Sequence, residues 1–230
     1  KVRKVLFEKA KEKKVPLMLA DKEQVTVQKE ELGSQVFSYK EFPDVEIQLT
    51  GKNQIENAIT ALEVIRALRN QKVSISDDAV YEGMRKTTWP GRFQVLEQNP
   101  MVIVDGAHNE DAAQRLAENI RTYLHGKPVV GVMGVFKDKA YDTIIEWMKP
   151  YLEYVFTIEL PNHERTLGRT ELLNHLKEQG IDGEDCESIE EALEKAKGRA
   201  KDGQAVLAFG SLSYLGEIIR LEESGCRKKF

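Results

Sequence analysis

Two groups of polar residues in this 230-residue chain have types and spacing suited to chemistry. Arg92 directly follows Pro90-Gly91, and the apolar run Met101–Val104 ends abruptly in Asp105-Gly106-Ala107-His108-Asn109. A carboxylate, an imidazole and an amide at the end of one strand could converge on a single ligand. Gly106 would permit close backbone approach or a positive φ, and the unpaired N–H groups of a helix starting after Asn109 suit an anion. The same residues have plainer uses: Asn109 as a helix cap, Asp105 as an acceptor for loop amides, Arg92 as a solvated side chain. His163 and Arg165 lie on another loop and read equally well as surface residues, while His125 and His175 read as structural or solvated.

The elements that must position these groups fall into two regions. In the first, a charged helix runs from Lys1 to about Lys14, and Val15–Ala20 reads as a short strand. Three segments with β-branched alternation follow, Gln24–Gln28, Gln35–Tyr39 and Val45–Leu49, suggesting a small antiparallel patch. Ile55, Ile59, Leu62, Ile65 and Leu68 then share one face of a helix over Asn53–Arg69, and Asp77 is placed to cap a second helix reaching about Lys86.

After Pro90 the rhythm becomes alternating strand and helix, which predicts an α/β domain with a mostly parallel sheet flanked by helices. Strands are expected at Phe93–Glu97, Met101–Val104, Val129–Met133, Tyr154–Glu159 and Ala205–Phe209. Helices are expected at Glu110–Leu124, Tyr141–Lys149, Arg169–Gln179, Ile189–Ala200 and Leu212–Glu223. In such sheets ligands bind beyond the carboxyl ends of the strands, so the loops carrying Asp105, Lys137, His163 and Ser211 matter most. Thr87–Gly91, with a rigid Pro90 beside a permissive Gly91, reads as a hinge, dividing the chain into 1–88 and 89–230. Residues from about Gly91 onward are expected to move as one body.

Composition narrows the classes. A formal net charge of -4 with scattered Lys and Arg gives no basic surface for nucleic acid. Cys186 and Cys226 are too few for a disulfide framework and form no metal-binding pair, so a reducing cytoplasm is the simplest compartment. No apolar run has the length of a membrane span, and the N-terminal residues lack a signal-peptide core.

The segments "WPGRFQVL", "VIVDGAHN", "VMGVFKDK" and "LAFGSLSYLGEI", in this order and spacing, resemble the C-terminal half of the folylpolyglutamate synthase and dihydrofolate synthase family, within the Mur ligase superfamily. Upstream, "LTGKNQIENAITALEVI" is similar to that family's segment near the end of its central ATPase domain. The resemblance implies a Rossmann-like C-terminal domain preceded by the tail of the ATPase domain. It implies an ATP-dependent ligase in which a folate carboxylate is phosphorylated and the acyl phosphate is attacked by the amine of L-glutamate. ATP, Mg²⁺, a reduced folate and L-glutamate are the partners it implies, with neither nucleic acid nor membrane, for a cytoplasmic monomer. Dihydrofolate synthase activity could accompany this one.

Residue by residue, Arg92 resembles the arginine directed at the phosphates, Asp105 the aspartate that binds ATP through ribose hydroxyls, and His108 a residue of the joint active site. Asn57 looks like the adenine-side asparagine. Lys137, Asp138 and Lys139 resemble a substrate-binding loop in which a second acidic residue is replaced here by Ala140, leaving them a supporting role. Ser211 resembles part of a Gly-Ser turn, or is the cap of the last helix. No G-x-x-x-x-G-K-[ST] phosphate loop occurs, and the family's metal ligands have no counterpart, so no metal site is expected in these residues. The resemblance therefore implies a C-terminal part of a longer ligase, inactive alone. A peptidoglycan Mur ligase and a noncatalytic nucleotide-binding or interaction module are the alternatives.

Overall fold

The computed structural model describes residues 2–161 and 164–227, without the side chains of 225–227. His163 and the Cys226 side chain, both weighed above, lie outside the described residues. The chain separates into two compact units. The first comprises Lys1–Glu30, Ser34–Gln48 and Lys52–Thr87; the second comprises Glu31–Gly33, Leu49–Gly51 and everything from Thr88 onward.

In the first unit, helix α1 (Val2–Lys13) contributes no buried residue. Strands β1 (Val25–Glu31), β2 (Ser34–Tyr39) and β3 (Phe42–Ile47) form a sheet in that order. Alternation along β2 buries Phe37 and Tyr39, and β3 pairs with it antiparallel, adding Phe42, Val45 and Ile47. Helix α2 (Lys52–Asn70) buries Ile55, Ile59 and Leu62 as its periodicity requires. Ile65 and Leu68 on the same stripe are only half buried.

Two expectations fail here. Val15–Ala20 is not a strand: Pro16 lacks a donor, Leu17 and Leu19 are exposed, and short apolar runs become strands only where a ladder partner exists. The cap of α3 (Asp77–Lys86) is Ser76, whose hydroxyl accepts from the Ala79 N–H at 3.2 Å; Asp77 sits inside the first turn instead.

The second unit is a layered arrangement of strands and helices. Its strands β4 (Gln94–Gln98), β5 (Met101–Val104), β6 (Val129–Met133), β7 (Leu152–Thr157), β8 (Gly183–Asp185) and β9 (Ala205–Phe209) make one sheet of order β4-β5-β9-β6-β7-β8. Only β4 runs antiparallel, to β5; the remaining pairs are parallel. Every residue of β6 and β9 is buried, as expected of central strands covered on both faces.

Side chains alternate between the two faces. Ile103, Met133, Leu207 and Phe209 pack with α4 (Glu110–Tyr123), α5 (Tyr141–Met148) and α6 (Arg169–Glu178). Val102, Val104, Val132, Val206 and Ala208 pack with α7 (Ile189–Arg199) and α8 (Leu215–Arg227). The helix after β9 thus lies on the opposite face from the helices after its two neighbours, β5 and β6. Chains that leave adjacent parallel strands toward opposite faces open a crevice at the carboxyl ends. Strand β8 was not foreseen because three residues, Gly183-Glu184-Asp185, carry no apolar pattern. The other strands and helices shift by a few residues at their ends, most at α8, which starts at Leu215 rather than Leu212.

Candidate functional site

Three turns meet at the carboxyl ends of β5, β9 and β6. Asp105, the first residue beyond β5, donates its N–H to the Ala208 carbonyl at 2.9 Å, continuing the parallel ladder. Its carboxylate then accepts two backbone N–H groups, Phe93 at Oδ2 and Ala107 at Oδ1, both at 2.8 Å. One carboxylate therefore fixes both the turn that carries Arg92 and the turn that carries His108. Phe93 is buried and has φ of +41°, a conformation that costs a bulky residue energy and persists only when held from outside. Burial pushes the Asp105 carboxyl up to about 6; the two N–H donors and the nearby Arg92 and His108 charges oppose that rise without cancelling it.

The turns also bond directly. The Gly106 N–H donates to the Gly91 carbonyl at 2.8 Å, and the Gly210 N–H donates to the Ala107 carbonyl at 3.0 Å. Gly210 has φ of +107°, and a Cβ there would lie 2.6 Å from the Gly134 carbonyl oxygen, so the β9 and β6 ends touch through bare backbone. Tyr214 is fully buried behind this junction, its hydroxyl 2.7 Å from the Phe209 carbonyl and 2.9 Å from that of Val132. Burial pushes its phenol pKa upward, keeping it a neutral donor.

Around this backbone frame stand the side chains able to meet a ligand. Arg92 is half buried, its guanidinium 5.4 Å from the centroid of the exposed Trp89 ring. His108 is half buried, with Nδ1 2.8 Å from the Gly106 carbonyl; a carbonyl only accepts, so Nδ1 carries the proton in this bond and Nε2 is the acceptor of the neutral ring. Arg92, Asp105 and His108, separate in sequence, are thus brought together. Asn109 caps α4, accepting from the Ala112 N–H at 2.9 Å, and Asp105 does bond loop amides. Both plainer readings describe real contacts. Gly106 has no positive φ; a Cβ there would fall 2.2 Å from Leu212 Cδ2, so the Leu212 side chain lies directly against this backbone.

The loop after β6 is organised by a neighbour. Phe136 bridges Thr166, and the Lys137 N–H donates to the Arg165 carbonyl at 2.9 Å. Arg165 grips Asp138 at 3.0 and 3.1 Å and lies over the Phe136 ring at 4.6 Å, and this ion pair holds the Asp138 carboxyl below its usual range. Asp138 is locally neutralised, Lys137 is exposed and Lys139 half buried. Ser211 is buried, and its hydroxyl accepts from the Ser213 N–H at 3.2 Å. That is a turn contact four residues ahead of α8, so the helix-cap reading of Ser211 is corrected. In the other unit, Asn57 is exposed on α2, its amide bonded to Gln54 at 3.0 Å.

Sequence reading missed Phe93 and Tyr214, whose roles rest on a backbone angle and on burial. Among the described residues no group of three or more His, Cys, Asp or Glu side chains is arranged to hold a metal ion.

Residues 91–212 match the family Mur ligase, glutamate ligase domain. The chain is 31% identical over 174 residues to the dihydrofolate synthase/folylpolyglutamate synthase of Escherichia coli K12, covering 74% of this chain and 39% of that protein. It is 27% identical over 192 residues to the Bacillus subtilis protein of the same name, covering 79% of this chain and 43% of that one. The crystal structure of E. coli FolC in complex with ADP, without folate substrate, superposes with a TM-score of 0.75 at 26% identity, covering 97% of this chain and 51% of that chain. The chain thus spans about two fifths of the length of these curated relatives. A match that takes in more than half of the chain, and that includes the Arg92, Asp105 and His108 turns, places it by descent: it belongs to the Mur ligase family through the glutamate ligase domain.

Proposed function

We propose that this chain is the C-terminal part of an ATP-dependent ligase that adds L-glutamate to a reduced folate. In this reading residues 1–88 are the tail of the central ATPase domain and 89–230 the glutamate ligase domain. The observation that carries it is the convergence of Arg92, Asp105 and His108 on adjoining turns at the carboxyl ends of β5 and β9. The names of the relatives and the ADP complex of the E. coli protein support the nucleotide and the substrate class.

A carboxylate oxygen is a poor leaving group and phosphate a good one, so ligation requires a site that clamps phosphates and presents an amine to an acyl carbon. Arg92 offers a guanidinium fork to phosphate oxygens, with Trp89 limiting its orientations. Asp105 has one acceptor position left on each oxygen for a ribose hydroxyl, while its other lone pairs hold the two turns. His108 presents Nε2 to the reacting groups. Lys137 and Lys139, with Asp138 and Ser211, support substrate binding, and Asn57 meets the adenine. Mg²⁺, when bound, would offset phosphate charge; the donor set described here gives it no ligands, so no residue of this chain is assigned to it.

No described helix is long and apolar enough to cross a membrane. A cytoplasmic monomer, with or without dihydrofolate synthase activity, completes the reading. The test is ATP-dependent glutamate incorporation by the full-length ligase carrying these residues, with tetrahydrofolate, dihydropteroate and muramyl-peptide acceptors offered in parallel. Turnover on folate acceptors is expected; turnover on muramyl acceptors alone, or none that requires ATP, would overturn it.

A further inference from the structure

Leu212 occupies an unusual place. It is 44% exposed, yet its side chain fills the space that two glycines leave open. A Cβ on Gly106 would lie 2.2 Å from Leu212 Cδ2 and 2.5 Å from Cγ, and a Cβ on Gly91 would lie 3.3 Å from the same Cδ2 and 3.2 Å from Cδ1 of the buried Leu215. Those glycines are joined to each other by the Gly106 N–H to Gly91 carbonyl bond at 2.8 Å. Gly91 immediately precedes Arg92. The Gly106 carbonyl faces His108 Nδ1, and Arg92 Nη1 lies 3.3 Å from where a Gly106 Cβ would stand. Leu212 itself belongs to a third turn, held by the Ser211 to Ser213 contact and by the Gly210 bond to Ala107.

We infer that Leu212 is a positioning residue, an apolar clamp from the β9 turn that presses the Gly91 and Gly106 turns together and so sets the separation of Arg92 and His108. An exposed leucine adds little to a core, so its contacts act on the geometry of the turns. Dispersion contacts at this range are individually small, but they are made against two bare backbones with no side chain of their own to resist sliding. The site beneath is sensitive to such sliding, because reacting groups misplaced by about an ångström lose on the order of a hundredfold in rate.

The clamp is defined by geometry alone; its effect on turnover rests on the ligase reading above, and the experiment separates the two. Amide hydrogen exchange of Gly106 is followed in the 230-residue chain, and kcat and KM in the full-length ligase, for Leu212→Ala and Leu212→Met. The expected result for Leu212→Ala is Gly106 exchange faster by about tenfold or more, with β9 amides still protected. In the ligase, kcat falls at least about tenfold while KM for ATP stays within about threefold. Leu212→Met, which keeps volume and polarity, restores both. Unchanged Gly106 exchange in Leu212→Ala overturns the clamp. So does global unfolding of that variant, since the side chain would then support the core, and so does a defect that methionine fails to rescue. If the unmodified ligase shows no turnover, the functional reading falls while the exchange result still decides the clamp.

Discussion

Asp105 shows how one buried side chain can hold two turns and still titrate. Its folded pKa is about 6 against an ordinary 3.8, so the folded chain holds the proton more tightly than the unfolded chain. The stabilisation linked to that proton is complete below the ordinary value and is lost as pH rises through about 6. The size is about 3 kcal/mol for a shift of roughly two units. Relative to Asp105→Asn, which has no proton to lose, the wild-type chain should therefore lose about that much unfolding free energy between about pH 4 and about pH 7. Denaturant titrations at several pH values measure it, and a flat difference would show that the two N–H donors fully compensate burial. Arg92 is expected to behave differently because it is half buried and organises no backbone. Arg92→Ala should lower turnover of the full-length ligase by about a hundredfold while ATP affinity changes less than about threefold. Arg92→Lys should rescue little, lacking the planar fork. Steady-state kinetics with equilibrium ATP binding decides the matter; a defect confined to binding would make Arg92 a ground-state contact.

At the scale of elements, the junction of β9 with β6 depends on Gly210. Any Cβ there meets the Gly134 carbonyl, which belongs to a central strand end and has nowhere to move, and the φ of +107° is itself unfavourable for alanine. Gly210→Ala should cost about 2–4 kcal/mol, read as a fall in the denaturation midpoint, whereas Gly198→Ala in α7, with open space around it, should be neutral or stabilising. This junction also marks what the sequence made legible. The apolar runs of β5, β6 and β9 and the stripe of α2 announce themselves because burial dictates residue type along them. The candidate site residues were legible as types in turns, those of Asp105, His108 and Arg92. The positive φ of Phe93, the short strand β8 and the grip of Arg165 on Asp138 were not, because each depends on a partner distant in the chain. Val15–Ala20 misled for the complementary reason, having strand composition but no partner.

At the scale of the molecule, exposed large apolar side chains are unevenly distributed. Val2, Val5, Leu6, Phe7, Val15, Leu17, Leu19 and Val27 all lie in the opening segment of the chain, and only a few others occur among the described residues beyond it. Since α1 buries nothing, replacing Leu6 and Phe7 together with glutamine should leave unfolding free energy within about 0.5 kcal/mol. Binding of an apolar dye should fall at the same time, and a large loss of thermal stability would show that α1 contributes packing. The order of the large sheet bears on how the chain is made. Strand β9 is the last of the six in sequence but sits between β5 and β6. During synthesis, β4–β5 and β6–β7–β8 therefore emerge as two half-sheets with open hydrogen-bonding edges, and only residues 205–209 can join them. Unpaired edges of this kind invite pairing with other chains. A polypeptide lacking residues 205–209 is accordingly expected to expose both edges, and the pairing of β9 both closes the sheet and brings the three turns together.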